Sequence, residues 1–266
     1  MRIPKKLKYG LFIITVFCSF AAFKPKPKPT IFVIGDSTVK NGRDDGQKMG
    51  AKGQWGWGHF LGDHFDTVKI KVENDALGGT SSRTFMNDGP WARVLPKIKP
   101  GDFVIMQFGH NDGSGIDEPS RARGTIKGNG NESREIDNPI KKIHETVYTY
   151  GWYIRKYISD IKAKGATPIV CSLIPRNDWV NGKVTRADEG YALWAEQAAK
   201  QGGAFFIPLN KLIADDYDAE GEAKVRATYF AADHTHTIEA GAIKNAEIVA
   251  QGIKNTKKLK LRKYLN

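Results

Sequence analysis

Cysteine is nearly absent from this 266-residue chain: Cys18 and Cys171 are the only two. A disulfide framework is therefore excluded, and the fold must hold through its core. Cys171 lies in an apolar run, the usual setting of a small core residue. Long apolar runs are also lacking. The N-terminal run from Leu11, thinning out to Phe23, covers about 13 residues, against the roughly 20 that span a bilayer. No internal repeat is visible, and no His or Cys pair has the spacing of a recognised zinc motif.

Acidic residues are missing from the first 29 positions, which hold seven Lys or Arg. Basic residues, then the apolar run, then small residues at Ser19, Ala21 and Ala22 form the order of a secretory signal peptide over residues 1–22, with cleavage expected after Ala21. An uncleaved anchor is the alternative. Phe17 stands where a lipidated Cys18 would need a small residue. The Lys/Pro alternation over residues 23–29 reads as a stiff linker. The expected location is secreted, periplasmic or at a bacterial cell surface, with no stable membrane insertion after cleavage. The tail from Lys254 adds six more basic residues, so without both ends the formal charge of +12 becomes −1. The basic balance thus belongs to the ends and does not describe a nucleic-acid groove. Residues 256–266 read as a solvated, frayed tail.

What remains is rich enough to fold. Hydrophobic residues make up 40% and aromatics 11%, which suits one sizeable domain over residues 30–255. Thr30–Ile34, Val68–Val72, Phe103–Phe108, Pro168–Leu173 and Phe205–Pro208 read as buried strands. Val147, Tyr150, Ile154, Tyr157, Ile158 and Ile161 recur at helical spacing before a C-capping Gly165. Asp188–Gln201 and Ile238–Ile253 are two further amphipathic helices. The alternation predicts a doubly wound, flavodoxin-like α/β fold: three layers, α/β/α, around a central five-stranded parallel sheet. Gly113–Pro139 breaks the rhythm as a long polar segment just past the third strand, where open α/β sheets place their sites.

Polar clusters follow the strand ends: Gly35-Asp36-Ser37, then Asn74 to Arg83, then Gly109-His110-Asn111-Asp112, and later Asp233-His234-Thr235-His236. With Gln54-Trp55-Gly56-Trp57-Gly58 and Tyr150-Gly-Trp-Tyr-Ile-Arg-Lys-Tyr, these segments resemble the SGNH (GDSL-like) hydrolase superfamily, in its rhamnogalacturonan acetylesterase-like branch of carbohydrate esterases. The likeness runs for about 200 residues. It implies Ser37, Gly79, Asn111 and His236 as the block residues, no cofactor, no metal, and an acetylated polysaccharide as substrate. A monomer is expected.

The chemistry supports these residues. A serine hydroxyl needs a base within hydrogen-bond reach, and His236 is the candidate. Asp233, three residues earlier, would fix the imidazole tautomer and balance its charge. The Ser37 and Gly79 backbone N–H groups and the Asn111 amide are the oxyanion donors. Asp36 reads as a cap or turn residue. Trp55 and Trp57 would either stack on sugars or close the core. His110, Arg176 and Trp179 would line the cleft, a guanidinium suiting a uronate carboxylate. Arg83 reads as structural. Three alternatives stay open: an acetylxylan or other carbohydrate or lipid esterase with the same triad, a non-catalytic carbohydrate-binding protein, and a metallohydrolase using His110, Asp112, His234 and their neighbours.

Overall fold

In the computed structural model, residues 27–42, 49–230 and 232–266 are described. The expected signal segment lies outside them. Five strands form one parallel sheet: β1 (Thr30–Gly35), β2 (Lys71–Asn74), β3 (Phe103–Gln107), β6 (Thr167–Cys171) and β7 (Phe205–Ile207), in spatial order β2-β1-β3-β6-β7. Counted along the five strands, that order is the flavodoxin-like 2-1-3-4-5. Alternation along β1 divides the core: Ile31 and Val33 face one layer, Phe32 and Ile34 the other. Helices cover both faces. The short α1 (Ser82–Asn87) and α2 (Pro90–Val94) lie with α3 (Tyr150–Ala163) and α4 (Tyr191–Gly202) on the Phe32 side. On the Ile31 side lie α5 (Leu209–Glu220), α6 (Glu222–Tyr229) and α7 (Glu239–Asn255). Cys171 is buried in this second layer, where desolvation pushes its thiol well up and leaves it inert.

Three local expectations are corrected. The second strand starts at Lys71, because the Asp66 carboxylate accepts the Val68 N–H in a turn that leaves Val68 exposed. Val147 belongs to a strand, not to the helix that follows. It lies in β5 (Ile143–Tyr148), which pairs antiparallel with β4 (Ser133–Asn138), so part of the polar segment Gly113–Pro139 is a hairpin arm. Thr149 then caps α3 by accepting the Trp152 N–H. The basic tail is docked, not frayed. Leu259 and Leu261 are buried in the core, Leu265 bridges to Phe65, and Asn266 donates its N–H to the His64 carbonyl.

Two arginines order the polar segment. The Arg83 guanidinium is fully buried; it donates to the carbonyls of Ile116, Gly124 and Ala122 and pairs with Glu145 at 2.8 Å. Arg155 does the same for Asn129, Gly130 and the Asn131 side chain. Backbone carbonyls without a ladder need such donors. Gly151 belongs to the same joint, since a Cβ there would lie 2.0 Å from the Asn129 side chain. Asp112, just before the segment, ties its start to α1 by accepting from the Ser82 N–H and hydroxyl. Burial pushes its carboxyl up to about 7, with the nearby Asp36 charge adding to the rise and the Ser82 bonds opposing it.

Removing Arg83 would leave three carbonyls without this donor and Glu145 with the Asn138 amide but no ion pair. Arg83→Met should cost about 3–5 kcal/mol in urea-melt stability. Asp112 makes a second test. The folded chain keeps its proton up to about 7, whereas the unfolded chain loses it near 3.9, so folding is increasingly penalised across that window. The unfolding free energy of wild type relative to Asp112→Asn should therefore fall from pH 4 to pH 7, by up to about 4 kcal/mol, and then level off. Parallel pH profiles for the two proteins would contradict this.

Candidate active site

The site gathers where β1, β2 and β3 end. Just past β1, the Asp36 carboxylate accepts from the Thr38 N–H at 2.9 Å and the Thr38 hydroxyl at 2.8 Å. This is the turn role expected for Asp36, and it holds Ser37 at the apex. Burial would raise the Asp36 carboxyl, but the His110 imidazole and the Thr38 bonds outweigh it and keep the group below its ordinary value. Beneath the turn, the Trp57 indole donates to Gln107 at 2.8 Å, and the Gln107 amide donates to the Thr38 hydroxyl at 2.7 Å.

The Gln54–Gly58 segment packs directly on this turn. The N–H groups of Gly56, Trp57 and Gly58 donate to the carbonyls of Lys40, Thr38 and Val39, each at 3.1 Å. Such contact requires a bare Cα: a Cβ on Gly56 would lie 2.3 Å from the Val39 backbone. Of the two expectations for the tryptophans, the interior one holds. Trp57 is fully buried, and Trp55 is buried with its indole donating to the Gly50 carbonyl. Neither presents a face for a sugar. Trp179 is not a cleft residue either: it packs against the core and its indole donates to Asn177.

Asp233, His236 and Ser37 meet in one hydrogen-bonded line. His236 Nδ1 lies 2.8 Å from Asp233 Oδ2, and His236 Nε2 lies 2.9 Å from Ser37 Oγ. The carboxylate demands a proton on Nδ1, which leaves Nε2 as an acceptor for the serine hydroxyl. Asp233 Oδ1 accepts the N–H groups of Thr235 and His236, at 2.7 and 2.8 Å, and Gln54 donates to Oδ2. Partial burial alone would raise this carboxyl; the bonds to His236 and Thr235 hold it below its ordinary value.

Ser37, Gly79 and Asn111 line one cleft of about 680 Å³ together with His236. Gly79 has φ of +80°, a conformation that favours glycine. One Asn111 amide N–H goes to the Thr80 carbonyl at 2.8 Å, which fixes the amide plane. Arg123 donates to the Gly79 carbonyl at 2.9 Å and to the Ser114 hydroxyl, so consecutive carbonyls of the glycine turn are held from two sides. His110 and Arg176 also border the cleft. The two His110 ring nitrogens face oxygen acceptors, the Ile174 carbonyl at 3.1 Å and Asp36 Oδ2 at 3.4 Å. Arg176 braces the His110 carbonyl against Thr235 and His234.

Sequence reasoning missed Lys40, Gln54, Arg121 and Arg123, all of which line the cleft. The signal for the two arginines was present: they stand in the polar segment that starts at the end of β3. Among the described residues lining the cleft there are four Lys or Arg and no carboxylate. No group of three metal-ligating side chains occurs among the described residues. Asp112 is committed to Ser82, and His234 pairs with Asp178.

Comparison with known proteins adds an independent line. The model of the GDSL-like lipase/acylhydrolase family matches residues 33–242. A rhamnogalacturonan acetylesterase of Emericella nidulans is 29% identical over 213 residues, 80% of this chain and 80% of that protein. A probable rhamnogalacturonan acetylesterase of Bacillus subtilis, YesY, is 32% identical over 229 residues, 84% of this chain and 92% of that protein. The crystal structure of Bacillus subtilis YxiM matches 88% of this chain with a TM-score of 0.68 and 27% identity. This chain spans 58% of the length of that solved protein. The family match takes in the strands, the serine turn and the Asp-His loop together, and the chain belongs to the GDSL-like lipase/acylhydrolase family.

Proposed function

We propose that this protein is an exported serine esterase that removes O-acetyl groups from an acidic pectic polysaccharide of the rhamnogalacturonan type. The observation that carries the reading is the Asp233–His236–Ser37 line opening into a cleft whose described charged lining is wholly basic. In the proposed reaction, Ser37 Oγ attacks the acetyl carbonyl while His236 Nε2 takes its proton. The carbonyl oxygen becomes an oxyanion, received by the N–H groups of Ser37 and Gly79 and the Asn111 amide. Collapse breaks the ester C–O bond, and His236 returns the proton to the leaving sugar hydroxyl. Water, activated by the same imidazole, then cleaves the acetyl-enzyme to acetate. Asp233 stabilises the imidazolium at both stages.

The wholly basic lining supports an anionic polymer over an uncharged one. Uronate carboxylates would be attracted by Arg121 and Arg123, with no carboxylate in the described cleft lining to compete. The names of the two acetylesterase relatives point to the same substrate class.

Acetate release should be greatest on acetylated rhamnogalacturonan, lower on acetylated xylan, and negligible on long-chain esters. Ser37→Ala and His236→Ala should each lower kcat by about 10⁴-fold or more in a protein that melts like wild type. Equal release from wild type and Ser37→Ala would end the serine mechanism. A second prediction concerns Arg123, which holds the Gly79 carbonyl. On p-nitrophenyl acetate, a neutral ester, Arg123→Ala should lower kcat about tenfold or more with KM little changed, because oxyanion donation acts in the transition state. A loss confined to KM on the acidic polymer would instead make Arg123 only a carboxylate binder.

A further inference from the structure

Lys28 and the basic C-terminal tail lie together at one end of the parallel sheet. Thr30, Lys71 and Phe103 begin their strands on the sheet edge opposite Ser37 and Asn111. At that edge lies a groove of about 800 Å³, larger than the cleft, walled by Lys28, Lys69, Lys71, Lys97, Lys99 and Lys263. Three of these are locally occupied. Lys97 pairs with Glu73 and Asp75, Lys69 with Asp66, and Lys28 reaches the Thr67 carbonyl. Lys71, Lys99 and Lys263 have no carboxylate partner among the described residues. The single acid in the lining, Asp102, is buried and turned inward; its two oxygens accept the N–H groups of Thr30 and Lys99.

Pro27, Pro29, Pro100 and Tyr264 add apolar surface to the same lining. Tyr264 is fixed edge-on to Phe103, with the Lys263 ammonium 4.9 Å from its ring centre. Beside the groove, Lys257, Lys258, Lys260 and Arg262 continue the positive field along the docked tail. A groove that combines apolar surface with ammonium groups suits a ligand with C–H faces and repeated carboxylates. A flat anionic surface would meet the lysines but would leave the apolar lining unused.

We propose that this groove is a second binding site for an unbranched acidic polysaccharide, a chain of uronate residues, separate from the cleft. The choice of polymer rests on the esterase reading, because both sites would then hold parts of one acidic polymer. Sugar C–H faces pack on the prolines and Tyr264, and the carboxylates pair with Lys71, Lys99 and Lys263. Retention there raises the local concentration of acetyl esters near an enzyme already bound to the polymer.

The test is titration calorimetry of wild type and of the Lys71→Glu/Lys99→Glu/Lys263→Glu variant with de-esterified oligogalacturonate about ten residues long. Wild type should bind with an affinity that falls steeply with salt. The variant should bind at least tenfold more weakly while its kcat/KM on p-nitrophenyl acetate stays within twofold of wild type, which also shows that it is folded. Equal binding by the two proteins, or no binding by wild type, overturns the proposal. So does binding to phosphatidylglycerol vesicles at protein concentrations where oligogalacturonate is ignored. Failure of the esterase reading is distinguishable, because it would show as p-nitrophenyl acetate hydrolysis that is absent from wild type or survives Ser37→Ala.

Discussion

The buried Asp36 carboxylate is the interaction on which the site depends. It lies at the end of β1 with no exposure to water, and isolated burial of a charge there would be prohibitive. It is kept ionised by Thr38, by the neighbouring His110 ring, and through Thr38 by a chain of donors running back to the Trp57 indole. Each member of that chain is itself buried, so the serine turn has few alternatives that satisfy all of them at once. Ser37 is thereby presented at a strand end by groups of which His110 alone borders the cleft.

Glycines let the second layer of this support approach. Gly35 admits the Gln107 carbonyl and the Val39 side chain, which a Cβ would meet at 2.6 and 2.7 Å. Gly56 admits the turn itself. The two tryptophans between the glycines therefore have structural work: Trp57 supplies an indole donor, and Trp55 closes the layer against His59 and Phe60. An aromatic flanked by glycines next to a site looks like a sugar platform in sequence. The deciding quantity is burial, which motif spacing does not contain.

This marks the boundary of what the sequence made legible. The parallel strands, the three layers and the long helices followed from apolar runs and 3.6-residue periodicity. The residues Ser37, Gly79 and Asn111 followed from their places after strand ends, sharpened by resemblance; Asp233 and His236, read from the sequence as another strand end, lie instead in the loop between α6 and α7. The polar segment did not, because its order comes from Arg83 and Arg155, which act across 25 to 41 residues to satisfy backbone carbonyls. The tail was misread for a related reason. Its charge pattern is that of a solvated segment, but Leu259 and Leu261 anchor it, and two buried leucines outweigh the pull of the flanking lysines toward water, which those side chains satisfy at the surface anyway.

The site must also be closed over a long sequence distance, since Ser37 and His236 lie 199 residues apart. Their own hydrogen bond cannot supply that closure, because it has to break and re-form if the imidazole is to shuttle a proton. The permanent joints lie one step away. The Trp55 N–H donates to the Thr237 carbonyl at 2.9 Å, and the Thr237 hydroxyl donates back to the Trp55 carbonyl at 2.8 Å. On the other side, the Asn177 N–H donates to the His234 carbonyl at 2.7 Å, and Arg176 grips Thr235. Phe230 and Thr237 form an isolated bridge that closes the loop at its base. The Asp-His loop is thus clamped at both shoulders by groups that do not ionise in the proposed reaction, while Asp233 and the face of His236 remain partly open to solvent. A loop braced on both shoulders with an open rim suits the proposed substrate, one acetyl group on a long polymer, which must lie across the site and leave again.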